Sequence, residues 1–100
     1  MSEQATETAR RILDLREQHR RLINDRLGRA AGNGHRVLEH LYEHSIVSVG
    51  DVHKLIRTSY PPANALVTRM VEIGILRELT SQTRHRRFVY QSYVDLFSEE

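Results

Sequence analysis

The chain has 100 residues, 39% of them hydrophobic, which is enough to build the core of one compact domain. It has no cysteine, which excludes disulfide scaffolds and thiolate zinc sites, and no apolar run of about 18 residues that would span a membrane. The formal net charge is only +2, but the stretch from Ile46 to Arg87 holds seven basic and three acidic residues. Such a bias attracts phosphate, above all that of nucleic acid, or serves only solubility. With no secretory signal pattern, we expect a soluble, cytoplasmic protein.

From Thr8 onward, apolar residues recur at three- and four-residue steps, which predicts a long amphipathic helix. His19 lies on its apolar side, and we interpret it as a packed or interface residue. The segment AGNG, Ala31–Gly34, is expected to end this helix, because glycine takes positive φ and asparagine can cap. We therefore divide the chain into an N-terminal linker or dimerisation helix, residues 1–32, and a second unit, residues 33–100.

The second unit begins with a helix expected from about His35 to His44. Ile46 and Val47 then predict a short strand. Ser48 is a candidate N-cap, because its hydroxyl can accept from the free N–H groups of the first turn. The third helix predicted from this cap buries Val52, Leu55 and Ile56.

Two adjacent prolines, Pro61 and Pro62, stand near the start of the next apolar segment. If Ser59 is the N-cap, both prolines occupy the first turn, where backbone N–H groups have no intrahelical partner and proline costs little. We therefore predict a helix from Tyr60 to Ile73, ended by Gly74. Its buried arc consists of Ala63, Leu66, Val67, Met70 and Ile73.

Two strand-like runs follow, ILRELT and RFVY, separated by the polar loop SQTRHR. They predict a hairpin with a basic tip. The last segment, SYVDLFSEE, predicts a short helix that docks Tyr93, Leu96 and Phe97.

The order of these elements predicts the fold. Two helices joined by the three residues Arg57–Ser59 and followed by a hairpin are typical of a helix-turn-helix with a wing. We expect a mainly α protein with a small β-hairpin, a winged helix-turn-helix with a long N-terminal helix. In such proteins the second helix of the pair enters the major groove of double-stranded DNA. The candidate DNA-binding residues are Lys54, Arg57, Ser59, Tyr60, Asn64, Ala65, Thr68, Arg69, Arg84, His85, Arg86 and Arg87.

These candidates divide by chemistry. Asn64 can read adenine through a bidentate amide contact, and the Ala65 methyl can meet a thymine methyl. Lys54, Arg57 and Arg69 are better placed for phosphate, and the basic residues at 84–87 can reach a narrow minor groove. About four to six phosphate contacts give a log affinity that falls with log salt at a slope of roughly −4 to −5. One module binds weakly, so we expect specificity to need a homodimer, with the N-terminal helix as its seam.

A different class of function stays open. The predicted reading helix is poor in charge and amides, so the domain can instead dimerise or dock a partner without touching nucleic acid. The arginines of the wing can form only a solvated loop, and Tyr60 can serve only packing.

The string HSIVSVGDVHKLIRTSYPPANALVTRMVEIGILRELTSQTRHRRFVY, followed by QSYVDLF, resembles the C-terminal winged-helix region of Fic-family proteins. LDLREQHRRLI also resembles the helix that links this region to the Fic catalytic domain. The family motifs P-x-V-S-V-x-D-V, S-Y-P-x-A-N, L-V-E-x-G-I-L and R-x-R-x-F-x-Y match Val47–Val52, Ser59–Asn64, Val71–Leu76 and Arg84–Tyr90, with Ser45 where proline is frequent. The resemblance implies a DNA-binding or regulatory role, with a Fic catalytic domain as a possible partner.

Fic proteins typically transfer AMP to a protein hydroxyl, using the motif H-P-F-x-[DE]-G-N-G-R-x-x-R. The GNG at 32–34 is a decoy, because aligning it puts Leu27 at the catalytic histidine and Ala31 at the acidic metal ligand. We therefore expect no enzyme activity and no cofactor. The chain fits either a fragment of a longer Fic protein or a stand-alone protein. HLYEH at 40–44 matches a zinc-peptidase pattern, H-x-x-E-H, but no third ligand is evident and we assign no metal.

Overall fold

The computed structural model describes residues 3–80 and 86–98, which form five helices and three short strands. The elements are α1 (Glu3–Arg26), a 3₁₀ turn (Gly28–Ala30), α2 (Ala31–Leu41), β1 (Ile46–Ser48), α3 (Val49–Ile56), α4 (Tyr60–Glu72), β2 (Arg77–Glu78), β3 (Arg87–Val89) and α5 (Gln91–Ser98). The strands form one antiparallel sheet in the order β1-β3-β2. The expectation of a mainly helical fold with a small antiparallel hairpin is thus confirmed.

One hydrophobic core joins these elements. Ile23 and Leu27 of the first predicted unit belong to the same buried cluster as residues from α2, α3, α4 and the sheet. The fully buried large side chains include Leu38, Met70 and Phe88. The C-terminal end of α1 is therefore held against the rest of the chain. Among the described residues, no helix combines the length and apolarity needed to cross a bilayer.

The segment AGNG does not end the first helix, so that prediction is wrong. It lies inside α2, and the chain turns earlier, at Gly28, whose φ is +53°. Gly34 serves packing instead: a Cβ there would lie 2.6 Å from Leu27 Cδ1 and 3.1 Å from Ile23 Cγ2. The absence of a side chain at Gly34 lets α2 approach α1 closely.

The helix boundaries around this turn also differ from expectation. The first helix extends back to Glu3 rather than starting near Thr8. The second ends at Leu41, three residues before the predicted His44. Helix ends are decided by a few local hydrogen bonds, which periodicity does not report.

The start of α3 is closed by the predicted cap. The Ser48 hydroxyl accepts from the Asp51 N–H at 3.1 Å, and the Asp51 carboxylate accepts from the Ser48 N–H at 2.9 Å. This reciprocal capping box satisfies the backbone N–H groups of both Ser48 and Asp51. Leu55, which was predicted to be buried, is only half-buried. Val49, which was not predicted to be buried, is fully buried.

The start and end of α4 are also as predicted. Ser59 is the extended N-cap residue, although its side chain makes no capping bond, and the prolines lie in the first turn. Gly74 takes φ +89°, and Ile75 and Leu76 both donate from their N–H groups to the Met70 carbonyl, at 2.9 and 3.1 Å. The left-handed residue turns the chain from α4 towards β2.

The predicted hairpin is confirmed in its pairing, with shorter strands than the sequence runs indicated. β3 is the central strand, with Phe88 opposite Val47 of β1 and Glu78 of β2. The Leu79 N–H donates to the Arg87 carbonyl at 2.8 Å and extends the pairing towards the tip. The predicted basic tip, including Arg84 and His85, lies outside the described residues.

The other side of the fold is closed by an aromatic cluster between α1, α2 and α5. The Tyr90 hydroxyl and His19 Nδ1 form a hydrogen bond of 2.7 Å, and the Tyr42 and Tyr90 hydroxyl oxygens are 3.4 Å apart. His19 is buried, so its interpretation as a packed residue is confirmed. Tyr93 of α5 packs on the core as expected, but Phe97 stays 52% exposed, so that part of the docking prediction is wrong.

Burial shifts the pKa values of this cluster in a consistent direction. Loss of water around His19 lowers its pKa and favours the neutral ring. Burial also raises the pKa of Tyr90, which keeps the phenol protonated. Both shifts favour a neutral imidazole hydrogen-bonded to a protonated phenol.

Candidate nucleic-acid interface

The connection between α3 and α4 is a tight turn of three residues. Arg57 adopts a left-handed conformation, φ 56° and ψ 45°, and its N–H donates to the His53 carbonyl. The His53 ring Nδ1–H donates in turn to the Thr58 carbonyl. His53 therefore braces the turn between α3 and α4 through both its backbone carbonyl and its side chain.

The N-terminal part of α4 presents an open surface. Tyr60 is 51% exposed, and Pro61, Pro62 and Ala65 are exposed beside it. The centre of the Tyr60 ring lies 6.2 Å from that of the His53 ring of α3, with the two rings tilted by 55°. Ser59, at the cap, is also exposed. The structure thus leaves this predicted face accessible to a partner.

Two polar residues of that face already make hydrogen bonds within the protein. Thr68 is half-buried, and its hydroxyl donates to the Asn64 carbonyl at 2.9 Å, a bond back along the helix. Asn64 is also half-buried, and its side-chain Oδ1 accepts from Arg86 Nη1 at 2.9 Å. The Asn64 amide is therefore the point where α4 meets the segment that leads into β3.

Arg86 is held by an ion pair as well. Its Nε and Nη2 donate to the two carboxylate oxygens of Glu78 at 2.9 and 3.0 Å. The guanidinium carbon also lies 5.0 Å from the centre of the Phe88 ring. The hydrogen bond from Arg86 lowers the pKa of Glu78 and keeps that carboxylate charged. Arg86 thus links α4, β2 and β3 in one contact.

Glu78 was not among the sequence-predicted site residues. The signal that points to it is its charge: it is the single carboxylate between Gly74 and Arg87 in a stretch with four arginines. A lone acid in a basic hairpin is a natural partner for one of those arginines.

The remaining predicted cations fall into two groups. Lys54, Arg57 and Arg87 are exposed, and their side chains make no hydrogen bond to any residue within 3–80 or 86–98. Arg69, in contrast, donates from its guanidinium to the Arg26 carbonyl at the end of α1. The structure therefore engages Arg69 in the joint between α1 and α4.

The histidines of the predicted zinc pattern do not converge on a site. His40 and His44 lie with ring centres 5.0 Å apart, and His40 lines a shallow cavity of about 480 Å³ together with Glu39 and Glu43. Within the described part of the chain, no three histidine, aspartate or glutamate side chains are grouped so as to hold a metal ion.

Comparison with known proteins adds no relative. The chain matches no protein-family model, and no curated protein is significantly similar to it. The resemblance to Fic C-terminal regions therefore stays a prediction made from the residues.

Proposed function

We propose that the protein is a winged-helix DNA-binding module, the regulatory accessory domain of a Fic-type protein, without AMP-transferase activity of its own. In this proposal α4 enters the major groove, α3 crosses the backbone, and the β2–β3 hairpin is the wing. The observation that carries it is that the start of α4 is exposed. Along the chain, α4 follows the turn at Arg57 and precedes the basic hairpin.

The charges of the described residues set the expected strength of binding. Each phosphate contact contributes a slope of about −0.9 to the dependence of log affinity on log salt. Lys54, Arg57 and Arg87 together therefore account for about −2.7, and any contacts from the wing tip add to that. We expect mainly electrostatic binding, with a Kd on the order of 10⁻⁴ to 10⁻⁶ M for random duplex DNA at physiological salt.

The test is fluorescence anisotropy with a labelled random duplex over a salt series. We compare the wild type with the double variant Lys54→Ala, Arg57→Ala. Both side chains are exposed, so the variant should fold normally while its salt slope falls by about 1.8.

The matched control is Arg10→Ala, Arg20→Ala. It removes the same charge from exposed positions on α1. An equal loss of affinity in both double variants would show that only net charge matters. Binding that does not respond to salt would contradict the proposal.

A specific observation favours a second function, a protein-interaction or dimerisation domain. The accessible face of α4 is largely apolar, with Tyr60, both prolines and Ala65 exposed. Leu13 on α1 is also 64% exposed, on the helix that we expect to form a homodimer seam. Light scattering after size exclusion tests this: Leu13→Lys should shift a dimer towards monomer, whereas Leu79→Lys, at another exposed leucine, should not.

A further inference from the structure

Arg86 differs from the exposed Lys54, Arg57 and Arg87 because most of its donors already have partners. Three of its five N–H groups are directed at Glu78 and Asn64, and its side chain is only 22% exposed, against 27% for Glu78. A bidentate pair with a carboxylate is the strongest geometry that an arginine makes with a single acid. A phosphate that took the same two donors would have to displace that pair, so Arg86 is less available as a phosphate ligand than the exposed Lys54, Arg57 and Arg87.

The contact with Asn64 has a direct chemical consequence. A guanidinium can only donate, so the atom of the Asn64 amide that faces it must be the oxygen. The Nδ2 amino group then occupies the other end of the amide. Among the described residues none accepts from Nδ2, and no buried side-chain nitrogen there lacks a partner, so this group is open to solvent.

We propose that Arg86 is a positioning residue for Asn64: held by Glu78, it turns the Asn64 amide so that α4 presents a hydrogen-bond donor to the DNA. This inference rests on the proposed function, since it names the part of a base that the same surface would read. It also assigns Glu78 a role, because the carboxylate fixes the guanidinium and neutralises it.

The expected base follows from the groups in the major groove. Guanine offers two acceptors there, N7 and O6, whereas adenine offers the N7 acceptor beside an N6 donor, thymine offers the single O4 acceptor beside a methyl group, and cytosine offers a donor. An outward amino group therefore fits guanine best. A bidentate contact to adenine needs the Asn64 oxygen as an acceptor, and Arg86 already occupies one of the two lone pairs of that oxygen and fixes its direction.

The experiment is selection of binding sites from randomised duplexes by the wild type, followed by anisotropy with the selected duplex. We expect one guanine to depend on Asn64. Replacing it by 7-deazaguanine, which removes the N7 acceptor, should weaken wild-type binding by about fivefold, the lower end of a specific base contact. Asn64→Ala should bind both duplexes equally.

The variants of the clamp separate positioning from charge. Arg86→Ala should admit adenine at the same position with an affinity within about twofold of guanine, because the amide is then free to turn. Glu78→Gln should release Arg86, steepen the salt slope by about 0.9 and reduce the preference for guanine. Circular dichroism checks that each variant folds, and the 7-deazaguanine test needs no variant at all.

The alternative results are distinct. Wild-type binding without any base preference, or an adenine preference that Arg86→Ala leaves unchanged, would overturn the positioning role while DNA binding stands. An absence of binding to any duplex would overturn both the proposed function and this inference.

Discussion

The two sides of the molecule use polar groups in opposite ways. Where α1, α2 and α5 meet, the polar atoms of His19 and Tyr90 are buried and paired with each other, and Arg16 lies 4.6 Å from the centre of the Tyr42 ring while it pairs with Glu39. On the side of α4 and the hairpin, the part-buried pair of Arg86 and Glu78 holds the oxygen of the Asn64 amide, and the amino group of that amide is left open.

This difference separates stability from recognition. A buried hydrogen-bonded network is costly to break, because each member loses its partner without gaining water. A polar group that is left open, such as the Asn64 amino group, can take up a partner without first breaking a bond inside the protein. We therefore expect substitutions on the buried side to change the free energy of unfolding, and substitutions near α4 to change binding.

The largest effect is expected at the α1–α2 contact. Gly34→Val places a branched side chain where even a Cβ would lie 2.6 Å from Leu27 Cδ1, so the free energy of unfolding should fall by about 1–3 kcal/mol. Gly32→Val is the matched control, because nothing lies within 4 Å of a Cβ at that position. Urea denaturation measures both, and equal stabilities would contradict the close packing.

Tyr90→Phe should have the next largest effect. It removes the hydroxyl that is hydrogen-bonded to His19 and leaves a buried ring nitrogen unpaired, which should cost about 1–2 kcal/mol of stability. Tyr60→Phe removes an exposed hydroxyl and should change stability by no more than about 0.5 kcal/mol. If the two variants unfold at the same urea concentration, the contrast between the two sides fails.

Arg57→Gly should raise the stability of the protein and weaken its electrostatic binding to DNA, so that one position separates the two properties. The left-handed conformation costs a non-glycine residue about 1 kcal/mol, so the variant should gain about that much stability. Its salt slope for DNA binding should fall by about 0.9 through loss of the exposed charge.

Arg57→Ala is the control for that prediction. It loses the same charge but keeps a Cβ in the left-handed region, so it should bind like Arg57→Gly without the gain in stability. Thermal unfolding and anisotropy on the same samples give both readings. A stabilised Arg57→Ala would show that backbone conformation is not the cause.

The smallest effect concerns pH. Burial lowers the pKa of His19 in the folded protein below the ordinary histidine value of 6.5, so the unfolded chain binds the extra proton first as pH falls. Stability should therefore be fully present above pH 6.5 and decrease as pH falls from there towards the folded pKa. His19→Gln, which does not titrate, should flatten this part of the pH profile of urea unfolding; an unchanged profile would assign the effect to other groups.

Local chemistry explains which parts of the fold are predictable from the sequence. Ser48 with Asp51, the paired prolines and Gly74 each act within a few residues of their own position, and the structure confirms all three. The segment AGNG was misread because glycine serves either a helix end or a close helix contact. Only the position of α1 against Gly34 distinguishes the two uses.

The sequence by itself determined the order and type of the main elements, because caps, prolines and apolar spacing are local signals. It also placed the basic residues near the expected reading helix. The tertiary structure decided which of them stay open: Arg69 meets a carbonyl 43 residues away, and Arg86 meets Asn64 22 residues away. The pairing of a charge depends on chain segments that only folding brings together, so residue type and spacing do not report it.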